Sequence, residues 1–539
     1  MDEYSEVQKD SLISLEEKTE IGICVRNIDL FEIYKYALLN NKKVIITSDM
    51  YLPINVIEKI LSNNGIDVYE DIFLSSDYKL TKSSGNLFKK IKSIYSNSSI
   101  LHIGDNRKAD NYSAKINGIH AINIKKNNNK LSYSSKKDNL ILSQFINNRL
   151  FINNNYFYNF GYECLGPLLF SYSVWLNKQL SSDCIENAFF LARDGKIMKQ
   201  AFNIMYGNKY NNKYIYASRR GYIVPSLNNY DGIRDMLSNF FLEKHFNLDE
   251  LIGKAGISKS DINNKYNNID FEHNYNSIDE IMSDDNISSF LNYLYIVITN
   301  NSLKEEKLLK NYLKNKGFKG KIGIIDIGWF GHMQNALVKI FGNNIHGYYM
   351  GVKSKTPYNN LEMKGFLFDS GLNLNNEKFV RTFVGIFELL FTNLDGSFIH
   401  LYKKDNRIYP KFKNNKYSQQ KLSNTIILAQ KAALDFVKDY RDSYLYKFNN
   451  ISMEESFSRI RRFGSTPSKK DIKEFSTIHE KSSYVLSEVN LKSKIFYLFH
   501  PKCFVNDLNH SWYGGALYNF TKIKLPYYKL YFLFKKLSK

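Results

Sequence analysis

The sequence predicts an α/β protein: two successive parallel-sheet domains followed by a helical, basic C-terminal region. Three observations lead there. Short apolar runs alternate with helix-length amphipathic stretches, the rhythm of strand–helix–strand units. A polar run of Lys, Asn and Ser at 125–137 separates two such series. The chain has 539 residues, of which 43% are hydrophobic and 24% charged. That composition is globular, and the length suits about two to four domains.

The elements follow in order. Leu30–Asn40 reads as a helix, Val44–Thr47 as a buried strand and Asn55–Asn63 as a helix. Ile72–Leu74 is a short strand, Leu87–Tyr95 a helix, and Ile100–Ile103 and Ala121–Ile124 are strands. This first domain spans 1–125, and 126–150 is the linker. The second domain, 151–400, opens with the apolar helical stretch Phe157–Leu176. Strand Ala188–Leu191, helix Lys196–Tyr206 and strand Tyr214–Ala217 come next, then a mostly helical insertion near 235–320. Ile322–Ile327 is a strong buried strand, followed by the turn Gly328–Gly331 and a helix from about Met333. His346–Gly351 and Gly365–Phe368 are further strands, and 401–539 is expected to be helical.

Seventy-four Lys and Arg against 53 Asp and Glu leave a formal charge of +21. Lys and Asn are abundant everywhere, so part of that excess is compositional. Zinc-finger spacing and RRM-type aromatic motifs are absent, and nucleic acid is not the expected partner. Anionic lipid or a phosphorylated substrate accounts for the charge equally well. Cys24, Cys164, Cys184 and Cys503 are far apart, as in a cytosolic protein with reduced thiols. No apolar run reaches the ~18 residues of a membrane span, and the acidic stretch Met1–Glu20 is unlike a secretory signal.

Three clusters carry chemistry. The first joins Ser48 and Asp49 at a strand end, Lys82 in Leu-Thr-Lys-Ser-Ser-Gly, and Asp105 with Asp110 after His102-Ile-Gly. A hydroxyl, a lysine and two carboxylates at strand ends can hold a phosphate and Mg²⁺. The second is Ala192-Arg193-Asp194-Gly195 with Ala217-Ser218-Arg219-Arg220, which predicts three guanidiniums at one sheet edge. Arginine forks suit phosphate and diphosphate. Asp194 caps the following helix, binds a metal or contacts sugar hydroxyls. The third is Asp326-Ile-Gly328-Trp329-Phe330-Gly331-His332-Met-Gln334: strand, glycine loop, helix start, a geometry that receives anions. His332 is either an anion contact or a structural histidine.

The first cluster resembles the haloacid dehalogenase phosphatase superfamily: Ser48 matches its second motif, Lys82 its third, and Asp105 with Asp110 its fourth. The superfamily's Asp-x-Asp first motif has no counterpart. The nearest candidate strand, Ile21–Val25, runs into Asn27-Ile28-Asp29, so the domain reads as incomplete and without its nucleophile. A reading frame shortened at its 5′ end would produce the same departure. The second and third clusters, with Phe387-Glu388 and Gly396-Ser397, resemble the phosphoribosyltransferase half of dual-domain ribofuranosyltransferases of bacterial polysaccharide assembly. That resemblance implies transfer of a 5-phosphoribosyl group from phosphoribosyl diphosphate to a lipid-linked glycan acceptor, with Mg²⁺ as cofactor. Asp194, Asp326 and Glu388 would share metal binding, ribose contacts and acceptor deprotonation. Arg193, Gly195, Arg219, Arg220, Gly328, Trp329, Gly331, His332 and Gln334 would hold the donor phosphates. Asp105 and Asp110 would be the metal ligands of the degenerate phosphatase site.

Two other functions fit the same residues: a Mg²⁺-dependent phosphomonoesterase, or a non-catalytic anion-binding component of a polysaccharide-assembly complex. The tail after Thr521 interleaves lysines with aromatics. It suits either the inner face of the bacterial cytoplasmic membrane or a helix docked on the protein.

Overall fold

The structure, a computed structural model, describes residues 5–124, 140–150, 155–240, 242, 245–266, 268–358, 360–413, 423–447, 450–476, 478, 491–509, 511–523 and 525–537. It is a mixed α/β protein with parallel sheets. The chain divides into two units: residues 1–155 with 438–451, and residues 156–437 with 452–539.

In the first unit, β1 (Ile45–Ser48) pairs in parallel with β2 (Asp71–Leu74), and β3 (Leu101–Gly104) with β4 (His120–Asn123). Among the described residues no ladder joins the two pairs. The amphipathic helix Asn86–Ile94 buries Leu87, Phe88 and Ile91 in a cluster with Phe73 of β2, against which Ile45 and Ala121 pack. Two stretches weighed from the sequence contain helices here. Ile21–Val25 is no strand: the helix Glu6–Ile23 runs through it and stops at Cys24. Its Ser5–Gln8 capping box starts a helix whose residues through Glu20 are rich in helix-forming Glu, Leu and Lys. The stretch read as a linker also contains the helix Leu140–Asn147, which buries Leu142, Phe145 and Ile146.

The second unit is built on a five-stranded, all-parallel sheet in the order β6-β5-β7-β8-β9. Its strands are β5 (Asn187–Leu191), β6 (Lys213–Ile215), β7 (Ile322–Trp329), β8 (Ile345–Val352) and β9 (Met363–Gly365). Strands β5 and β7 are buried along nearly their whole length, as expected where helices cover both faces of a parallel sheet. From β5 the chain moves one way, to β6, through the helix Gly195–Tyr206. It then returns across β5 and moves the other way, from β7 through the helix His332–Phe341 to β8 and β9. The order therefore reverses between β5 and β7. In open α/β sheets, the loops leaving the carboxyl ends of such a strand pair diverge and leave a crevice.

The region after residue 401 is not helical from its start. β10 (Phe398–Lys404) and β11 (Arg407–Phe412) form an antiparallel hairpin. Its turn residues Asp405 and Asn406 both have positive φ, +48° and +61°, the backbone of a tight hairpin turn tolerated by Asp and Asn. Further on, Trp512 is fully buried, and its indole N–H donates to the Gly464 carbonyl at 2.7 Å.

Candidate active site

The crevice at the β5/β7 reversal gathers most of the predicted residues. Asp194 ends the short turn after β5 and precedes the helix Gly195–Tyr206, yet its side chain makes no capping bond. The capping role weighed from the sequence therefore falls away. Gly195 is required next to it, because a Cβ there would meet the backbone of Phe190 at 2.9 Å. Asp326 lies inside β7, 4% exposed, on the strand adjoining β5.

The turn after Asp326 is shaped by its glycines. Gly328 has φ +125°, and a Cβ there would stand 2.3 Å from the Gly351 carbonyl oxygen of β8. Gly331, at φ +79°, caps the helix that begins at His332. Trp329 stacks on Phe368 with ring centroids 5.6 Å apart. Its indole N–H donates to Glu388 Oε1 at 2.7 Å and so aims that carboxylate.

Three carboxylates thus share one field. Burial and the nearby Glu388 carboxylate push Asp194 up to about 7, against the opposing pull of Arg193. Burial and the Asp194 charge hold Asp326 far above the ordinary carboxylate range, opposed by the Ile327 N–H bond and the Arg219 guanidinium. Two carboxyls that repel each other where desolvation penalises charge do not both ionise easily. His332 is pushed down to about 4 by burial and by Arg219, so its ring is neutral near pH 7. Its Nδ1 meets the Tyr358 hydroxyl at 2.9 Å. Among the described residues, no carboxylate lies in ion-pair distance of Arg193 or Arg219.

Arg220 does not join them. Its guanidinium grips Glu305 of the long helix Ser288–Asn315 through two bonds of 2.5 and 2.7 Å. Arg219 and Arg220 are consecutive in a helix whose cap is Ser218, so their side chains leave the axis about 100° apart and cannot face one ligand together. Gln334 is also misplaced by the sequence reading. It is fully buried, donates to the Ile345 and Glu362 carbonyls, and accepts from the Tyr349 hydroxyl, which clamps β8 and the chain before β9.

Sequence reasoning overlooked Lys353. It follows β8 directly, its backbone N–H donates to the Trp329 carbonyl at 3.0 Å, and its Nζ sits 4.6 Å from the Phe330 ring centroid. Burial and the neighbouring Arg381 charge lower its pKa, while Glu388 raises it. The signal was available: a cation immediately after an apolar strand, the same placement that singled out Arg193.

The first unit's cluster also assembles in part. The Lys82 N–H donates to both oxygens of Asp49, at 2.8 and 3.1 Å. Lys82 Nζ meets Asp110 Oδ1 at 2.6 Å, His102 Nε2 lies 3.1 Å from the same oxygen, and the Asn106 N–H donates to Oδ2 at 2.9 Å. Burial raises the Asp110 pKa, but these bonds together leave it below the ordinary value. Ser48 ends β1 half-buried, and Asp105 is exposed after β3. Both Asp110 oxygens are thus engaged, by Lys82, His102 and the Asn106 N–H. Among the described residues, no group of three or more acidic, His or Cys side chains is arranged to hold a metal ion.

No protein-family model matches the chain, and no curated protein is significantly similar to it.

Proposed function

We propose that this protein transfers a 5-phosphoribosyl group from phosphoribosyl diphosphate to a glycan acceptor of bacterial surface polysaccharide. Its first unit is then a phosphatase-like domain that has lost its reaction. The observation that carries this reading is the meeting of Asp194, Asp326 and Glu388 with Arg193 and Arg219, which lack ion-pair partners among the described residues, at the sheet's reversal point. Such a crevice suits a ligand that is both polyanionic and rich in hydroxyls.

In the reaction, the bond from the ribose anomeric carbon to the diphosphate breaks, and the electron pair leaves with pyrophosphate. Arg193, Arg219 and Lys353 stabilise that growing negative charge. The acceptor hydroxyl oxygen bonds to the anomeric carbon, and its proton passes to a carboxylate. Asp194, whose pKa of about 7 is matched to neutral pH, is the best-tuned of the three for that step. The N–H groups at the start of the helix His332–Phe341 receive a phosphate. Mg²⁺ arriving with the donor would neutralise diphosphate charge, with Asp326 as its protein partner, leaving Asp194 to take the proton.

Work at the inner face of the cytoplasmic membrane, on a lipid-linked acceptor, fits the basic chain. The test is pyrophosphate release from phosphoribosyl diphosphate in the presence of candidate lipid-linked glycans. Arg219→Ala should abolish release while melting like the wild type, since Arg219 is exposed and without an ion pair among the described residues. Wild-type turnover by that variant would end the assignment.

A further inference from the structure

We propose that the helix Lys494–Phe499 and the lysine-rich chain around it form a contact surface for an anionic phospholipid bilayer. One side of this helix is anchored. Tyr497 is buried, its hydroxyl donates to Asp507 at 2.8 Å, and its ring packs on Phe504 and Phe520 at centroid distances of 5.0 and 5.9 Å. The other side is bare: Ile495 is 72% exposed, Leu498 78% and Phe499 74%. Their spacing of i, i+3 and i+4 puts all three on one face. Single exposed apolar side chains are ordinary, but three large ones side by side on a short, firmly seated helix mark an interaction site. Ile523 and Leu525, just beyond Phe520, are exposed as well.

The charge around this face selects the partner. From Leu491 to Lys539 the chain carries nine lysines and one carboxylate, Asp507, a net of +8. That one carboxylate is already taken up by Tyr497 and has Lys492 4.0 Å away. Lys494, Lys502 and Lys522 are exposed beside the apolar residues in sequence. Apolar side chains that enter the acyl boundary, ringed by lysines at phosphate level, are the pattern of an interfacial anchor. A second copy fits poorly. Three side chains fall far short of the roughly 800 Å² per partner of a stable protein interface, and two such segments would repel each other.

The C-terminal helix Tyr527–Leu537, which the sequence reading offered to the membrane, has a different part. Tyr527 and Tyr531 are buried in a cluster with Leu508, Tyr513 and Leu517, and Tyr528 packs on Phe379 at 4.9 Å. It braces the region that presents Ile495, Leu498 and Phe499.

The experiment is co-sedimentation of the full chain with phosphatidylcholine vesicles and with vesicles that also contain phosphatidylglycerol. No donor or acceptor is added, so the outcome is separate from the transferase reading. The wild type should bind the phosphatidylglycerol vesicles, and high salt should release it. The triple variant Ile495→Ser, Leu498→Ser, Phe499→Ser should bind about tenfold or more weakly. Its melting temperature should be unchanged, because the three side chains are solvent-exposed. Undiminished binding by the triple variant, equal binding to phosphatidylcholine alone, or no binding by the wild type would overturn the proposal. A wild-type dimer that the triple variant dissolves would assign the face to a second copy instead.

Discussion

Arg219 and Arg220 are adjacent in sequence but differently engaged. Arg219 is exposed and its charge acts on Asp326, whereas Arg220 is spent in a two-bond ion pair with Glu305, both of those side chains being largely buried. Arg220→Ala would strand a carboxylate, so it should cost about 3 kcal/mol of stability in a denaturant titration. Transfer per folded molecule should be retained, the reverse of the Arg219→Ala outcome. Trp329 offers a finer test. Trp329→Phe keeps an aromatic ring against Phe368 and Phe387 but removes the donor to Glu388. The expected result is a fall in turnover of about tenfold with little change in melting temperature, because a hydrogen bond to a charged group is lost while the packing stays.

At the level of elements, loop positions follow from the sheet's connectivity. β5 and β7 are neighbours, but the chain leaves them in opposite directions, which opens the crevice between Asp194 and the Gly328–Gly331 turn. Gly328→Ala would force a side chain onto the Gly351 carbonyl and into a backbone region that L-residues rarely adopt. A loss of about 2–3 kcal/mol is expected by thermal melting, with the crevice distorted. In the first unit, β1–β2 and β3–β4 are separate pairs among the described residues, and Lys82 is held by Asp110. The full chain is accordingly expected to hydrolyse p-nitrophenyl phosphate no faster than its Lys82→Ala variant. A clear difference in steady-state rate would restore the phosphatase reading.

Across the whole molecule, the buried carboxylates link function to pH. Asp194 has a folded-state pKa of about 7 against an ordinary value of 3.8. A group raised in this way stabilises the fold fully below its unfolded pKa, and that contribution is lost as pH climbs through about 7. Asp326 acts in the same direction. The protein should therefore melt at a lower temperature at about pH 8 than at about pH 5, and Asp194→Asn should flatten the difference. Transfer should run the opposite way, rising as pH passes about 7 and Asp194 becomes able to accept a proton. His332, already neutral in that range, should add no limb to the profile.

The parallel α/β character was legible in the chain itself, because apolar runs such as Ile322–Ile327 and Ala188–Leu191 are too continuous for half-exposed strands. So were the chemistry-bearing turns at 193–195 and 326–331, since carboxylates, arginines and glycines at strand ends are local features. Long-range geometry was not legible. That Arg220 turns to Glu305, that Gln334 ties the chain before β9 to β8, and that Lys353 shares a field with Glu388 each depend on residues far off in sequence. The hairpin at 398–412 was missed because Asp405-Asn406 is a less familiar turn pair than Asn-Gly. Periodicity reports which side of an element is apolar, but only packing decides which of several apolar surfaces is covered. In the last fifty residues it covered the tyrosines of the tail and left Ile495, Leu498 and Phe499 in water.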